Sequence, residues 1–219
     1  LLGERMMGFV QEEGRAASKI LAKERGAFPA YETSTFAKKE QGPFRNATVT
    51  TIAPTGTLSI IAGCSSGIEP LFALCFPRNV MDGQRLVEVN PYFEQALKDS
   101  DCHSKNLMDA VASKGSIAAM EHLPESLRKV FVTAMDIEPL WHLRRQAAFQ
   151  KYTDNAVSKT VNLPHSATSD DIRRIYWMAY EMGCKGVTVY RDGCKSTQVL
   201  CTGEGEKKES DEDGRTVQE

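Results

Sequence analysis

The feature that most limits the possible folds is a strand, helix, strand pattern near the carboxyl end of the chain. Residues 157–162 are rich in β-branched side chains, residues 170–182 have the apolar spacing of a helix, and residues 186–190 again indicate a short buried strand. Thr168 and Asp171 are spaced as a helix-capping pair. Two strands joined by such a crossover run parallel in one sheet. The pattern therefore predicts an α/β fold and disfavours an all-α fold.

A second pattern, in residues 47–62, predicts a strand, a loop and a short helix. Residues 47–53 have the β-branched composition of a strand, Pro54 ends that strand, and residues 58–62 continue as a helix. The backbone N–H groups around Gly56 to Ser59 would then be the unpaired donors of the first helical turn. Such donors and the positive end of the helix dipole together attract anions such as phosphate.

This loop matches neither a Walker P-loop, which needs a Lys after its second Gly, nor a G-x-G-x-x-G motif. Two interpretations stay open on the local pattern. One is a phosphate-binding loop, and the other is an ordinary turn from strand to helix that is capped by a Ser or Thr side chain.

The remaining sequence alternates between helical and extended segments. Charged residues separate the apolar positions of the first 25 residues, and Gly26 and Pro29 supply a stop signal after them. Pro77 closes the segment 71–76, which we expect to be a buried strand or irregular chain. The other predicted elements are helices at 2–25, 91–97, 105–113, 124–131 and 136–150, and a strand at 83–90.

Composition and charge indicate a globular protein with an acidic tail. The 219 residues are 41% hydrophobic and 26% charged, with a formal net charge of −2. Residues 203–219 hold seven acidic and three basic side chains, so we expect a disordered tail there, and the length of residues 1–202 allows one large domain or two small ones. Without a basic stripe or an apolar run of about 20 residues, we expect neither nucleic-acid binding nor a membrane span.

The cysteines and histidines suggest neither a disulfide framework nor a metal site. The six cysteines include no C-x-x-C pair, and the four histidines are scattered. With no export signal evident, we expect a reducing, cytoplasmic location and mostly structural cysteines. Cys194 and Cys201 stand apart because they lie near the tail. No spacing of zinc ligands is present, so we expect no metal.

Several motifs in order resemble the catalytic subunit of ribonucleotide reductases, and specifically the class II branch that depends on adenosylcobalamin. The resemblance runs from about Leu2 to about Leu200, which would make this chain the C-terminal part of that subunit. The motifs are Arg45-Asn-Ala-Thr, Pro54-Thr-Gly-Thr, Gly67-Ile-Glu-Pro70, Lys151-Tyr-Thr-Asp-Asn-Ala-Val-Ser-Lys-Thr160 and Gly186-Val-Thr-Val-Tyr-Arg-Asp-Gly193.

The resemblance implies a fold, a reaction and a substrate site. It implies the C-terminal part of a ten-stranded α/β barrel that reduces ribonucleotides to deoxyribonucleotides by thiyl-radical chemistry. The cofactor would be adenosylcobalamin, with binding residues unknown, and the partners would be a ribonucleotide, the N-terminal remainder of the reductase and a dithiol reductant such as thioredoxin. The residues implied to hold the substrate phosphates are Pro54, Thr55, Gly56, Thr57, Leu58 and Ser59.

The chain also departs from the family pattern. The finger loop of the family, with an Asn, a radical-bearing Cys and a Glu at alternating positions, does not occur in this sequence. We therefore expect no catalytic residue here, and we interpret Cys64 as a small residue at a helix end. For Glu69, a structural carboxylate that accepts hydrogen bonds from local N–H groups is favoured over an acid or base.

Two hypotheses about function follow. In the first, the chain is part of a reductase and holds the substrate phosphates while it closes the barrel. In the second, it is a stand-alone nucleotide-binding or regulatory module without catalytic activity. Unpaired sheet edges in half a barrel invite association, which favours the first hypothesis.

Overall fold

The computed structural model describes residues 2–79 and 85–194 of the chain. They divide into two compact units, the first made of residues up to Leu71 and from Ala134 onward, and the second made of Phe72–Thr133. The predicted tail, 203–219, and Cys201 lie outside the described residues. In chain order the elements are α1 (Leu2–Arg25), α2 (Thr35–Lys38), α3 (Gly56–Ala62), β1 (Cys75–Asn79), β2 (Arg85–Val89), α4 (Pro91–Asp99), α5 (Lys105–Lys114), α6 (Glu125–Val130), α7 (Pro139–Gln150), β3 (Thr160–Leu163), α8 (Ser169–Glu181) and β4 (Thr188–Arg191).

The predicted β-α-β pattern is confirmed in the first unit. Strands β3 and β4 pair in parallel, from Thr160 opposite Thr188 to Leu163 opposite Arg191, and α8 connects them. At the start of α8, the Thr168 hydroxyl accepts from the Asp171 N–H while the Asp171 carboxylate accepts from the Thr168 N–H. This reciprocal cap satisfies two donors that helix termini otherwise leave unpaired. The core beneath is apolar and consists of Leu143, Val161, Leu163, Ile175 and Ala179.

Helix α1 packs along α7 in the same unit. The approach is close at two glycines, because a Cβ at Gly3 would lie 2.5 Å from the Phe149 ring and one at Gly8 would lie 3.5 Å from the Tyr152 ring. After α1, three rings meet edge to face, with Phe36 5.1 Å from Phe44 and 6.4 Å from Phe28 between ring centroids. These rings hold the connection to α2 against the unit.

The strand predicted at 47–53 is only partly regular. Ile52 forms an isolated parallel bridge with Val157, and the Ser158 N–H donates to the Ile52 carbonyl at 2.8 Å. One further ladder-like bond runs from the Asn155 N–H to the Thr50 carbonyl at 3.2 Å. The segment thus lies parallel beside residues 155–158, but it does not form the full strand that its composition predicts.

The second unit combines an antiparallel hairpin with short helices. Strands β1 and β2 pair from Cys75 opposite Val89 to Asn79 opposite Arg85, and Pro77 lies inside β1 rather than closing it. Asn90 caps α4 and Ser104 caps α5, as their side-chain oxygens accept from the first-turn N–H groups. The buried side chains of this unit include Leu74, Phe93, Leu97, Val111 and Ile117. In the residues described for both units, no helix is long and apolar enough to cross a membrane.

Candidate phosphate loop and its anchor

The candidate site is the loop of residues 54–59, called the phosphate loop below, which leads into α3 in the first unit. Helix α3 begins at Gly56 and ends at Ala62, and Gly63 caps it with a φ of 61°, the left-handed conformation that closes many helices. Cys64 follows this cap, and its N–H donates to the Ser59 carbonyl at 3.0 Å. The interpretation of Cys64 as a residue at a helix end is confirmed.

Thr55 precedes α3 but makes no side-chain cap. Its hydroxyl instead lies 3.2 Å from the Ser66 hydroxyl and accepts from the Gly67 N–H at 3.1 Å, while its own N–H donates to the Ser66 hydroxyl at 3.2 Å. Gly67 has a φ of 51°, a conformation that side chains disfavour. The Thr55 side chain therefore ties the start of the loop to the residues that follow α3, and it does not occupy the helix terminus.

The first turn of α3 consequently keeps unpaired donors. Within the described residues, no hydrogen bond engages the N–H groups of Gly56, Thr57 and Leu58. The Ser59 N–H, by contrast, donates to the Thr55 carbonyl at 2.8 Å, and the Ser59 hydroxyl donates to the Gly56 carbonyl at 2.7 Å. Three backbone donors of the predicted set are thus available to an anion, whereas Ser59 is bonded within the loop.

The phosphate loop is open to solvent. Pro54, Gly56, Thr57 and Leu58 are exposed, and a Cβ placed on Gly56 would meet no atom within 4 Å. An anion can therefore approach the backbone of the loop without displacing protein atoms. Helix α3 also exposes large apolar side chains, with Ile60 82% and Ile61 78% accessible.

Glu69, two residues after the loop closure at Gly67, joins this segment to β3. One carboxylate oxygen accepts from the Thr160 N–H at 2.6 Å, and the other accepts from the Lys159 ammonium at 2.7 Å. Glu69 is thus the structural carboxylate that we expected, but its partners lie about 90 residues away rather than in the local chain. Its side chain is 26% exposed, whereas that of Lys159 is fully buried.

Lys159 has a complete set of acceptors. Besides Glu69, its ammonium donates to Nδ1 of His142 at 2.8 Å and to the Thr160 carbonyl. Nε2 of His142 lies 3.0 Å from the Ala134 carbonyl. Because that carbonyl can only accept, these contacts require the neutral His142 tautomer with its proton on Nε2.

Burial lowers the pKa of both Lys159 and His142. Desolvation lowers the pKa of Lys159 below its ordinary value, and the adjacent Glu69 carboxylate opposes that shift. Desolvation also lowers the pKa of His142, and the neighbouring Lys159 charge lowers it further. The arrangement therefore favours one neutral imidazole next to one ammonium and one carboxylate.

Lys159 and His142 are functional candidates that sequence reasoning missed. The signal for Lys159 was present, since residues 157, 159 and 161 share one face of an extended chain, and the two valines there are core residues. A lysine at this position of the alternation must either disrupt the core or pair with a buried polar group. Nothing in the local sequence identifies the partners.

The described cysteines differ in their exposure to solvent. Cys64 and Cys194 are exposed, and Cys75 is buried, which raises the pKa of its thiol to about 11. No cluster of three or more His, Cys, Asp or Glu side chains that could hold a metal ion is found in residues 2–79 and 85–194.

The chain is similar in sequence to proteins of one known family. The family described as ribonucleotide reductase, barrel domain, matches residues 38–190. A vitamin B12-dependent ribonucleoside-diphosphate reductase of Thermoplasma acidophilum is 50% identical over 211 residues, which are 96% of this chain and 27% of the relative. The protein with the same name from Mycobacterium tuberculosis is 48% identical over 199 residues, or 91% of this chain and 28% of the relative.

A solved structure of the same family resembles the fold of this chain. The alpha subunit of a class Id ribonucleotide reductase from Actinobacillus ureae superposes with a TM-score of 0.69 at 25% identity, covering 87% of this chain and 34% of that one. The chain spans 27% to 34% of the length of the curated relatives and the solved structure named above.

Proposed function

Because this chain belongs to the ribonucleotide reductase family through its barrel domain, we propose that it is part of an enzyme that reduces ribonucleotides to deoxyribonucleotides. Two of its relatives carry the name vitamin B12-dependent ribonucleoside-diphosphate reductase. The chain covers little more than a quarter of their length, so the activity belongs to the whole reductase. In this proposal the chain contributes the grip on the substrate phosphates and strands of the barrel wall.

One observation carries the proposed role of the phosphate loop, namely the unpaired N–H groups at the start of α3. Thr55 is turned toward Ser66 and Gly67, so no side chain caps the helix. The N–H groups of Gly56, Thr57 and Leu58 then face open space, and this combination suits a phosphate oxygen. The alternative of an ordinary capped turn lacks the capping bond that defines it.

The second proposed role is to close the barrel. The segment near Ile52, strand β3 and strand β4 lie side by side and run parallel. In a ten-stranded α/β barrel, such strands continue into neighbours on both sides, and loops at one end of the strands hold the substrate. Supplying position and orientation in this way accelerates a reaction only when the reactive groups are also present.

The proposed cofactor, adenosylcobalamin, is taken from the names of the relatives and from the resemblance of the motifs. When bound, it would supply the radical that generates a protein thiyl. Two grooves of the first unit, of about 840 and 390 Å³, are open along α1 and lined in part by Arg5, Arg15 and Asp154. Both grooves are open and carry charged side chains, so they lack the enclosing walls that would bury most of a ligand as large as a corrin. No step is therefore assigned through the cofactor to the residues of this chain.

The remaining partners follow from the same proposal. A dithiol such as thioredoxin would return the electrons that leave with each deoxyribonucleotide, and the N-terminal remainder of the reductase would bring the finger loop and its cysteine. The residues of this chain bind and orient the ribonucleotide. Whether the substrate is a diphosphate or a triphosphate is a property of the complete site.

The test combines this chain with the remainder of a B12-dependent reductase, adenosylcobalamin, a dithiol and a ribonucleotide. We expect deoxyribonucleotide only in the complete mixture. A Gly56→Val chain should bind the nucleotide more weakly by roughly 10- to 100-fold for each backbone hydrogen bond that the new side chain blocks. The matched control is Gly186→Val. A Cβ added at Gly186 also has no neighbour within 4 Å, but this residue lies outside the phosphate loop.

Two results would contradict the proposal. The reductase role fails if the parts associate but no mixture makes deoxyribonucleotide. The phosphate-loop role fails if Gly56→Val binds the nucleotide as tightly as the unchanged chain. A compact monomer that binds a ribonucleotide without any partner would favour the stand-alone module instead.

A further inference from the structure

The segment that carries the phosphate loop is attached on both sides, at Ile52 and at Glu69, to one short stretch of chain, residues 157–160. Before the loop, Ile52 bridges to Val157 and accepts from the Ser158 N–H at 2.8 Å. After the loop, Glu69 accepts from the Thr160 N–H at 2.6 Å and from the Lys159 ammonium at 2.7 Å. The position of the loop is therefore set by its contacts with the start of β3.

The loop between these attachments is closed on itself. The Thr55 hydroxyl and N–H bond to Ser66 and Gly67 at 3.1 to 3.2 Å, so the start and the end of this segment are held together. Glu69 follows Gly67 by only two residues. The hydrogen bonds of Ser66 and Gly67 thus connect the chain just before Glu69 directly to Thr55, at the start of the phosphate loop.

The contact between Glu69 and Lys159 is specific in geometry. The three N–H groups of the ammonium have three acceptors, which are Glu69, His142 and the Thr160 carbonyl. Both oxygens of Glu69 are also engaged. Since buried ion pairs add little net stability, the best-supported reason to keep one is that it selects a single register of the elements that it joins.

We propose that Glu69 and Lys159 are positioning residues for substrate binding, which fix the phosphate loop at the start of β3 so that its donors converge on the phosphates. The proposal rests on the proposed function of the loop. Lys159 is fully buried and cannot touch the substrate, so it acts through the loop. A misplacement of about 1 Å in such a site costs up to roughly 100-fold in rate or affinity.

The experiment uses the whole reductase that contains this chain, with Glu69→Gln, Lys159→Met and the double variant Glu69→Gln/Lys159→Met. Dissociation constants are measured for the ribonucleotide and for the ribonucleoside that lacks phosphates. We expect Glu69→Gln to weaken ribonucleotide binding about tenfold or more and to leave ribonucleoside binding unchanged. The expected kinetic signature is a larger effect on KM than on kcat.

The double variant separates positioning from stability. It removes both charges, so the buried ammonium is no longer unpaired and thermal stability should recover from the loss in Glu69→Gln. We expect ribonucleotide binding to stay weak all the same, because the charge-assisted link is still missing. If the double variant regains affinity together with stability, the pair acts only through folding and the proposal is overturned.

Two comparisons complete the design. Glu125→Gln removes an exposed lysine partner, at 2.8 Å from Lys129, and should leave ribonucleotide binding unchanged. Gly56→Val tests the loop itself. If Gly56→Val weakens binding and Glu69→Gln does not, only the positioning role is wrong, whereas an unaffected Gly56→Val would contradict the proposed function of the loop.

Discussion

Lys159 is a fully buried charged side chain that lies between two core valines along the chain. The alternation of Val157 and Val161 predicts a strand with one apolar face, and Lys159 lies on that face. The sequence thus contains the conflict but not its resolution, because Glu69 and His142 are 90 and 17 residues away. Polar partners at such separations depend on the tertiary fold, which no local pattern encodes.

His142 should make the stability of the chain depend on pH. Its pKa is lowered in the folded chain by burial and by the Lys159 charge, and the unfolded value is near 6.5. Between these two values the unfolded chain binds more protons, so the free energy of unfolding rises with pH. We expect the free energy of unfolding to fall as the pH drops through 6.5, and this loss to level off below the folded pKa.

Urea unfolding of the purified protein at pH 7.5 and at pH 5.5 measures this effect. His142→Gln cannot take up the proton, so its free energy of unfolding should fall less on acidification than that of the parent. The control is His165→Gln, which replaces an exposed histidine and should behave like the parent. An equal loss in His142→Gln and the parent would show that His142 does not carry the effect.

Among the helices and strands, the local sequence predicted the structure correctly where the capping residues lie at the start of the helix itself. The Thr168 and Asp171 pair and the flanking strand patterns predicted the β-α-β unit. The structure has all three elements, and its two strands pair in parallel. Residues 47–53 show the opposite case. There the Val49 N–H donates to the Asp154 carboxylate at 2.8 Å, so a distant side chain replaces a strand partner. Composition cannot foresee that replacement.

The cap of α8 should be measurable on its own. Thr168→Ala removes the oxygen that accepts from the Asp171 N–H, and one half of the reciprocal cap is lost. We expect the free energy of unfolding to fall by about 1 kcal/mol, with the parallel strands still paired. Ser169→Ala, one residue inside the helix, is the control and should cause no comparable loss, since Ala is the better helix former. Equal stability of Thr168→Ala and the parent in urea unfolding would contradict the capping role.

In the molecule as a whole, part of the apolar surface of α1 is not covered by the described residues. Leu2, Met6, Phe9 and Val10 recur at helical spacing, yet they are 51% to 69% exposed. Elsewhere on the helix, Gly3 lies close to the Phe149 ring of α7, and Met7 is buried. An apolar stripe in solvent is unusual in an isolated protein and marks a surface for another structure. Under the function proposed above, the expected partner for this surface is the remainder of the reductase, because the chain covers little more than a quarter of its relatives.

Association with that remainder should therefore depend on the exposed stripe of α1. Phe9→Ser removes a side chain whose burial is worth about 1.5 to 3 kcal/mol, so we expect the dissociation constant of the two parts to rise roughly 10- to 100-fold. Tyr92→Ser is the control, since Tyr92 is also an exposed aromatic residue of a helix but belongs to the second unit. Isothermal titration of each variant with the remainder of the reductase gives the comparison. Equal dissociation constants for Phe9→Ser and the unchanged chain would mean that the stripe does not form this interface.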